Sequence, residues 1–256
     1  MAMGLWRLYL GGLLLMSPLA FAARIEPGPD PVPSVMWAYY QRQILADAPF
    51  VFDERVKLLA PPFAEDARQV PLEIDARALA GEVVKILAWA ELNPLPRIVD
   101  FEPGAGVQPW LSIRIRIEQA TPLRAAVLTR DGLWHVGSAL IDAAGGGCTA
   151  PSLVRSQPGW EEHVGEVLGA RYPRGSASRL RLQVSHPMDN GLLNGIPEFF
   201  LNQAQLLDAD NRVLARLELY PAVSENPNLG FDIQAPGQTR LLLRDNNGNQ
   251  FEATIP

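Results

Sequence analysis

Cysteine is nearly absent from this chain, with one residue, Cys148, in 256 positions. A single cysteine excludes an internal disulfide. In an oxidising compartment, an unpaired cysteine suggests an intermolecular bond or a reactive thiol. Histidine is also scarce, with three residues. None of them stands at metal-ligand spacing to another histidine or to Cys148, so the sequence predicts no metal site.

Basic residues are in deficit. The chain has 22 lysines and arginines against 28 acidic residues, which gives a net charge of −6. Such a chain is a poor candidate for nucleic-acid binding, which usually needs a basic patch, and it lacks the basic amphipathic face that binds anionic membranes. A phosphate-binding glycine loop is also missing, because Gly104-Ala105-Gly106 follows a proline and precedes no predicted helix. We therefore expect no nucleic acid, no membrane surface and no cofactor.

Residues 1–22 have the pattern of a secretory signal peptide. Arg7 supplies the positive region, Leu8 to Leu15 form an apolar stretch, and Ala20-Phe21-Ala22 has the small-x-small form of a cleavage site. A membrane anchor is less favoured, because the apolar stretch is short for a span of about 20 residues. We expect export, and a mature chain that begins near Ala23.

Residues 23–50 are predicted to form an N-terminal segment with one helix. Four prolines make its beginning extended. A helix from Val35 to Ala46 would have Ser34 as its N-cap and an apolar face of Met36, Tyr39, Tyr40 and Ile44. We expect this segment to pack on the rest of the protein with no further role.

Short strands separated by turns dominate the rest of the chain. The clearest is a hairpin of Leu123 to Thr129 and Leu133 to Ile141, because Arg130-Asp131-Gly132 between them contains an Asp-Gly turn. The spacing of strands predicts an all-β fold with two immunoglobulin-like antiparallel β-sandwich domains. We place them at residues 51–148 and 179–256, and expect the proline-containing stretch 149–178 to be an irregular linker.

The stretch from Leu111 to Ile117 alternates strictly between aliphatic and polar residues. Its four aliphatic side chains therefore face one side, and Arg114 and Arg116 share the exposed side. These two arginines are candidates for binding an anion, although a solvated strand face is the simpler interpretation.

Gly145, Gly146 and Gly147 immediately precede Cys148, and large side chains are missing from the residues just before them. Glycine reaches backbone conformations closed to other residues, so this run predicts a flexible arm that presents an accessible thiol. The alternative is an incidental cysteine in a loop. His135, in the preceding strand, is the one candidate base for a cysteine hydrolase. We disfavour that function because a catalytic nucleophile is held rigidly.

Several stretches carry a resemblance to a known family. In the first half they are Leu59 to Ala67, Val70 to Ile74 and the Gly-Gly-Cys of the arm, and in the second half Ser185 to Gly191, Ile196 to Phe200 and Val223 to Phe231. With these, residues 53–148 resemble SoxY and residues 179–256 resemble SoxZ, the two partners of the sulfur-oxidation carrier complex. The order is that of a SoxY–SoxZ fusion, similar to the SoxYZ-like carriers associated with quinoprotein dehydrogenases.

The resemblance implies a periplasmic carrier rather than an enzyme. In the family, the arm cysteine covalently holds a sulfur-containing intermediate while separate enzymes act on it. Only Cys148 carries over as a functional residue, as the attachment site, and His186 is expected to be structural. The implied partners are a covalent small-molecule cargo and periplasmic redox enzymes or a quinoprotein dehydrogenase system. The alternative is a non-covalent accessory module for such a dehydrogenase system.

Overall fold

The computed structural model describes residues 26–234 and 237–256. The predicted signal peptide, residues 1–22, lies outside the described residues. Within them there is one α-helix, α1 (Trp37–Leu45), and no helix is long and apolar enough to cross a membrane. Three short 3₁₀ helices are Arg77–Leu79, Val154–Ser156 and Trp160–His163. The strands of the first half are β1 (Phe50–Phe52), β2 (Lys57–Leu59), β3 (Phe63–Ala64), β4 (Val70–Asp75), β5 (Val83–Ala90), β6 (Arg97–Pro103), β7 (Val107–Ile115), β8 (Thr121–Thr129) and β9 (Trp134–Ala143). Those of the second half are β10 (Val167–Arg174), β11 (Ala177–Val184), β12 (Leu201–Leu207), β13 (Val213–Leu219), β14 (Asn228–Ile233), β15 (Thr239–Asp245) and β16 (Gln250–Ile255).

These strands form two sheets packed face to face. Sheet I has the order β1-β9-β8-β5-β6-β13-β12-β15-β16, and β3 also pairs with β9. Sheet II has the order β10-β11-β14-β7-β4-β2. The pairings are antiparallel except that β1 and β3 run parallel to β9. Two β-sandwich domains are thus present, as the sequence predicted, and the all-β prediction is confirmed.

Both sheets continue from one domain into the other. In sheet I, β6 pairs with β13, and in sheet II, β7 pairs with β14. One buried apolar cluster extends through both halves, and Phe101 of the first half meets Phe231 of the second with ring centroids 6.1 Å apart. The domains are therefore joined edge to edge over a shared core rather than connected by a chain alone.

The predicted linker, residues 149–178, is only partly irregular. Strand β10 lies inside it and forms the edge of sheet II, where Val167 is paired with Val184. The prediction missed this strand because Pro173 and Gly175 resemble linker residues. The irregular connection between the two sheets is residues 149–166 and includes two 3₁₀ helices.

The helix α1 covers the outer face of sheet I. Its buried residues Tyr40 and Leu45 pack with Leu87 and Trp89 of β5. The hydroxyl of Ser34 accepts the Met36 N–H at 3.1 Å just before the helix begins. Other parts of the predicted apolar face differ, because Tyr39 is exposed.

The extended stretch before α1 is held by a buried arginine. Arg124 of β8 is fully buried and donates to Asp30 at 2.6 and 2.9 Å, to the Val32 carbonyl oxygen at 2.6 Å and to Glu91 at 2.8 Å. The N-terminal stretch is therefore held against strand β8 by hydrogen bonds from Arg124.

The predicted hairpin is present as β8 and β9. Gly132 has φ +85° in the turn, and the Asp131 carboxylate accepts the Leu133 N–H at 3.2 Å. Strand β9 then leads directly from the hairpin to the glycines before Cys148.

Candidate functional site

Cys148 lies beyond the end of β9, in the stretch of residues 144–153 that we call the thiol segment. Gly145 and Gly146 have φ values of +103° and +81°, which glycine adopts without strain. They turn the chain inward, so that Cys148 is only 1% exposed. The expectation of an accessible thiol is therefore wrong for this conformation.

Glu118 holds the thiol segment in place through hydrogen bonds. One of its carboxylate oxygens accepts the N–H of Cys148 at 2.9 Å and the N–H of Thr149 at 3.1 Å, and the other accepts the Thr149 hydroxyl at 2.9 Å. The Glu118 backbone carbonyl also accepts the Gly146 N–H at 3.2 Å. A single residue therefore receives four hydrogen bonds from the segment.

Gly147 is required by space rather than by flexibility. A Cβ added there would overlap the carbonyl oxygens of Ala67 and Ile117, which lie directly against it. Ile117 also donates its N–H to the Ala67 carbonyl at 2.8 Å, so these two backbones are fixed to each other. Of the three glycines, two make the turn and the third fits a closed space, which corrects the prediction of a freely mobile arm.

The second domain completes this site. The side-chain amide of Asn190, itself buried, donates to the Cys148 carbonyl oxygen at 2.6 Å. We call the surface formed by Ala67, Ile117, Glu118 and Asn190 the thiol seat. Because Asn190 belongs to the second half and the other three residues to the first, the seat lies at the junction of the domains.

The chain after the cysteine is also anchored. The Glu225 carboxylate accepts the Ser152 hydroxyl at 2.6 Å and the Leu153 N–H at 2.8 Å. Arg155 then pairs with the buried Asp189 at 2.6 Å. The thiol segment is therefore a loop fixed at both ends, and its buried residues are Gly147 and Cys148.

Comparison with protein families assigns both halves. Residues 41–148 match the model described as sulfur oxidation protein SoxY, and residues 169–256 match the model described as sulphur oxidation protein SoxZ. The chain carries a SoxY domain followed by a SoxZ domain. The match to SoxY ends at Cys148. The thiol seat therefore lies where the SoxY domain ends and the connection to the SoxZ domain begins.

A solved structure of the sulfur carrier protein SoxY from Chlorobium limicola f thiosulfatophilum is 18% identical to this chain. The match covers 42% of this chain and 98% of that one, with a TM-score of 0.36. Among curated proteins, no match was found.

The seat keeps the thiol protonated. Burial raises the pKa of Cys148 to about 12, and the negative charge of Glu118 acts in the same direction. The positive charge of Arg116 acts in the opposite direction but does not outweigh them. Since the thiolate is the reactive form of cysteine, the protonated thiol of Cys148 is unreactive as a nucleophile while it occupies the seat.

Arg116 is not on an exposed strand face, as the sequence alternation predicted. Strand β7 ends at Ile115, and Arg116 turns into the junction, where it is 4% exposed. Its guanidinium donates to the carbonyl oxygens of Met188 and Pro187 at 2.8 and 3.2 Å. Burial lowers its pKa, which nearby charges partly restore. Arg114 is exposed, as predicted.

His135 is not a partner of Cys148. It lies at the start of β9, where one ring nitrogen is 2.7 Å from the Asp53 carboxylate and the other 3.2 Å from the Thr129 hydroxyl. The other end of the strand, at Ala143, is about 26 Å from His135 at 3.3 Å per residue, and Cys148 lies beyond that end. The structure thus provides no Cys-His pair between these two residues.

His186 is a buried residue of the SoxZ domain. Its Nδ1 accepts the Met188 N–H at 3.1 Å, and its ring lies 4.4 Å from that of Phe199. Burial lowers the pKa of His186 to about 4, so the ring is neutral near pH 7. This agrees with the structural role that we expected for it. Throughout the described part of the chain, no group of His, Cys, Asp and Glu could hold a metal ion.

Sequence reasoning missed Glu118 and Asn190, and it placed Arg116 on an exposed strand face. Each becomes part of the site only because the fold brings together segments distant in the chain. The local sequence around Glu118 gives no such signal, because the residues that it holds come about 30 positions later.

Proposed function

We propose that this protein is a sulfur carrier that holds a sulfur-containing intermediate covalently on Cys148 and presents it to periplasmic enzymes. The observation that carries the proposal is the position of the single cysteine. It is the last residue of the SoxY match and lies on a two-glycine turn at the junction with SoxZ. Its segment is held mostly by polar contacts, which can exchange with water.

Loading forms a bond between the Cys148 Sγ and a sulfur atom of the cargo. Joining a thiol to a thiol-type sulfur removes two electrons, and each sulfur that carries a proton releases it. The electrons pass to a partner redox enzyme and the protons to solvent. We propose that this partner is a periplasmic oxidoreductase, of a sulfur-oxidation or a quinoprotein dehydrogenase system.

The thiol segment must leave the seat before loading. In the seat, Cys148 is 1% exposed and its thiol is protonated. Opening breaks the hydrogen bonds to Glu118 and Asn190 and exposes one small side chain. Local openings of this kind, with few buried apolar contacts, lie at the low end of opening free energies in proteins.

Two pieces of reasoning support export. The signal-like pattern of residues 1–22 predicts cleavage near Ala23, and the SoxY and SoxZ families imply the periplasm. Amino-terminal sequencing of protein recovered from the periplasm tests this. A mature protein that keeps Leu8 to Leu15 would contradict it and favour an anchor.

A second function is favoured by one observation. Because Cys148 is buried with a raised pKa, it also suits a structural cysteine in a non-covalent accessory module of a quinoprotein dehydrogenase system. In that case the SoxY and SoxZ domains would bind a partner without carrying cargo.

Intact mass of the protein, isolated from its host without reductant, separates the two functions. A carrier shows a sulfur-bearing adduct that disappears in Cys148→Ala and on treatment with reductant. Peptide mapping should place the adduct on Cys148. If the wild-type protein has an unmodified mass and Cys148→Ala supports the host pathway fully, the carrier proposal fails and the accessory module replaces it.

A further inference from the structure

A basic cleft crosses the domain junction on the outer face of sheet II. It has a volume of about 200 Å³ and lies over four neighbouring strands, β11 and β14 of the SoxZ domain and β7 and β4 of the SoxY domain. It is separate from the thiol seat, since Cys148 is not among its lining residues. Its lining includes Ser112, Arg114, Arg179, Arg181 and Gly230.

Gly230 forms the floor of this cleft. It stands opposite Arg181 on one side and opposite Ser112 on the other. Its φ is not positive, so its backbone conformation does not call for glycine. A Cβ there would lie 3.1 Å from the Cβ of Ser112 and 3.4 Å from the ring of Trp110, and would project between the strands. The missing side chain is what leaves the depression.

One wall is a fixed guanidinium. Arg179 lies over the Trp110 ring at 3.7 Å and donates to Asp232 at 2.7 and 2.8 Å. Asp232 also faces Arg77 at 3.4 Å and Arg174 at 3.8 Å. Arg77 is paired more closely with Asp75, at 2.7 Å, so Asp232 is chiefly the partner of Arg179 and fixes its guanidinium in place.

The other two arginines have no carboxylate partner. Arg114 and Arg181 are exposed, and neither guanidinium makes an ion pair within the part of the chain that the structure describes. The one carboxylate that lines the cleft is Glu73, which stands opposite Ser112. Since Arg179 is paired with Asp232, the two unpaired arginines against one glutamate leave this cleft positive on a protein whose net charge is −6.

We propose that this cleft binds a doubly charged inorganic oxyanion of the sulfate and thiosulfate class. Guanidinium groups match such anions because their N–H donors form paired hydrogen bonds with two oxygens. Arg114 comes from the SoxY domain and Arg181 from the SoxZ domain, so the site exists only where the two are joined. Gly230 supplies the room, and the Ser112 hydroxyl is a further donor at the floor.

Calorimetric titration of the full mature chain with sodium sulfate and with sodium thiosulfate tests this site. Ionic strength is held constant with sodium chloride, so that general screening is the same throughout. We expect saturable binding at one site. Arg114→Ala/Arg181→Ala should weaken it at least about tenfold, a change that corresponds to about 1.4 kcal/mol.

The matched control is Arg216→Ala/Arg244→Ala. These two arginines are also exposed on strands, and they lie on the outer face of the other sheet. The control removes the same charge and should change the affinity less than twofold. Equal weakening in both double variants, or heats that never saturate, would overturn the proposal.

Two further titrations establish which class of anion binds and whether binding depends on the thiol of Cys148. Sodium glutamate provides a carboxylate, as the acidic surface of a partner protein would, and binding of glutamate in preference to sulfate would overturn the oxyanion assignment. Cys148→Ala should bind sulfate as the wild type does. Because the cleft does not use Cys148, anion binding is expected even if Cys148 carries no cargo. Equally, Cys148 can carry cargo even if the cleft binds no anion.

Discussion

The carboxylate of Glu118 accepts the backbone N–H of Cys148 at 2.9 Å, and its charge raises the pKa of the thiol on the same residue. One side chain thus both holds the segment in place and opposes formation of the thiolate. A thiol that is shielded until its segment opens is protected from oxidation. The two effects of Glu118 can be separated by mutation.

Replacing Glu118 should expose the thiol. Glu118→Ala removes three hydrogen bonds to the carboxylate, and bonds to a charged group contribute about 1.5–3 kcal/mol each. We expect alkylation of Cys148 by a small reagent in the folded protein to accelerate at least about tenfold. Glu162→Ala, at an exposed glutamate of a 3₁₀ helix, is the control and should react as the wild type does.

Gly147→Ala provides an independent route to the same state. Its methyl group would overlap the carbonyl oxygens of Ala67 and Ile117, so the segment must leave the seat. Alkylation should again accelerate, with no change of charge. If both variants react as slowly as the wild type, Cys148 is buried by contacts other than the seat.

The pH dependence of alkylation follows from the raised pKa. In the seat the pKa of Cys148 is about 12, whereas a free cysteine has a pKa of about 8.5. The open segment therefore loses its proton first, so the closed state is fully stable below about pH 8.5 and becomes less stable as pH rises toward 12. Hydrogen exchange of the Cys148 and Thr149 amides should show opening that increases over this range.

The rate of alkylation provides a second measurement. In Glu118→Ala, the pH at the midpoint of the alkylation profile should move down toward 8.5. A wild-type midpoint already near 8.5 would contradict the closed seat.

The free energy of unfolding should fall more when a buried strand residue is truncated than when the Cys148 thiol is replaced. Ile115 of β7 is fully buried, and Ile115→Ala should cost about 2–5 kcal/mol of unfolding free energy. Cys148→Ser buries a hydroxyl in place of the thiol, which costs about 1–3 kcal/mol at most, because opening of the segment limits the loss. Denaturant melts measure both. A serine variant as damaged as Ile115→Ala would show that the segment does not open separately.

The packing of the N-terminal stretch on the rest of the protein should depend on Arg124. Arg124→Ala leaves Asp30 and the buried Glu91 without their cation, and breaking a buried ion pair typically costs about 3–5 kcal/mol. Arg212→Ala is the control, because Arg212 is 73% exposed and ion pairs between exposed side chains contribute little to stability. Thermal melts of both variants and the wild type check this. Equal effects would mean that Arg124 does not hold the segment.

Local patterns in the sequence predicted local structure well. The Asp-Gly turn at Asp131 and Gly132 produced the hairpin. The predicted N-cap, Ser34, was wrong, because the helix begins two residues later than expected, with Met36 at the N-cap position and no side-chain cap. Strands β6 and β14 were missed, because the prolines near them resemble loop residues. Each has one partner in its own domain, β5 for β6 and β11 for β14, and a second partner in the other domain, β13 and β7, which local sequence patterns do not reveal.

The candidate site was predicted only in part. Cys148, as the proposed attachment residue, followed from the single cysteine and the resemblance to SoxY. Its burial did not, because the seat combines Ala67, Glu118 and Asn190 from three distant segments. Arg116 shows the same limit: alternation placed it on the surface, but the strand ends one residue before it.

The anchoring of the thiol segment at both ends has a consequence for the partner. Cys148 is five residues from the end of β9, so at about 3.4 Å per residue it travels no more than roughly 17 Å from that point. A free chain terminus could thread a narrow tunnel, but a loop must enter as two strands side by side. An enzyme that acts on this thiol therefore needs a wide, shallow active-site opening, and it must approach the domain junction closely enough for the loop to meet it.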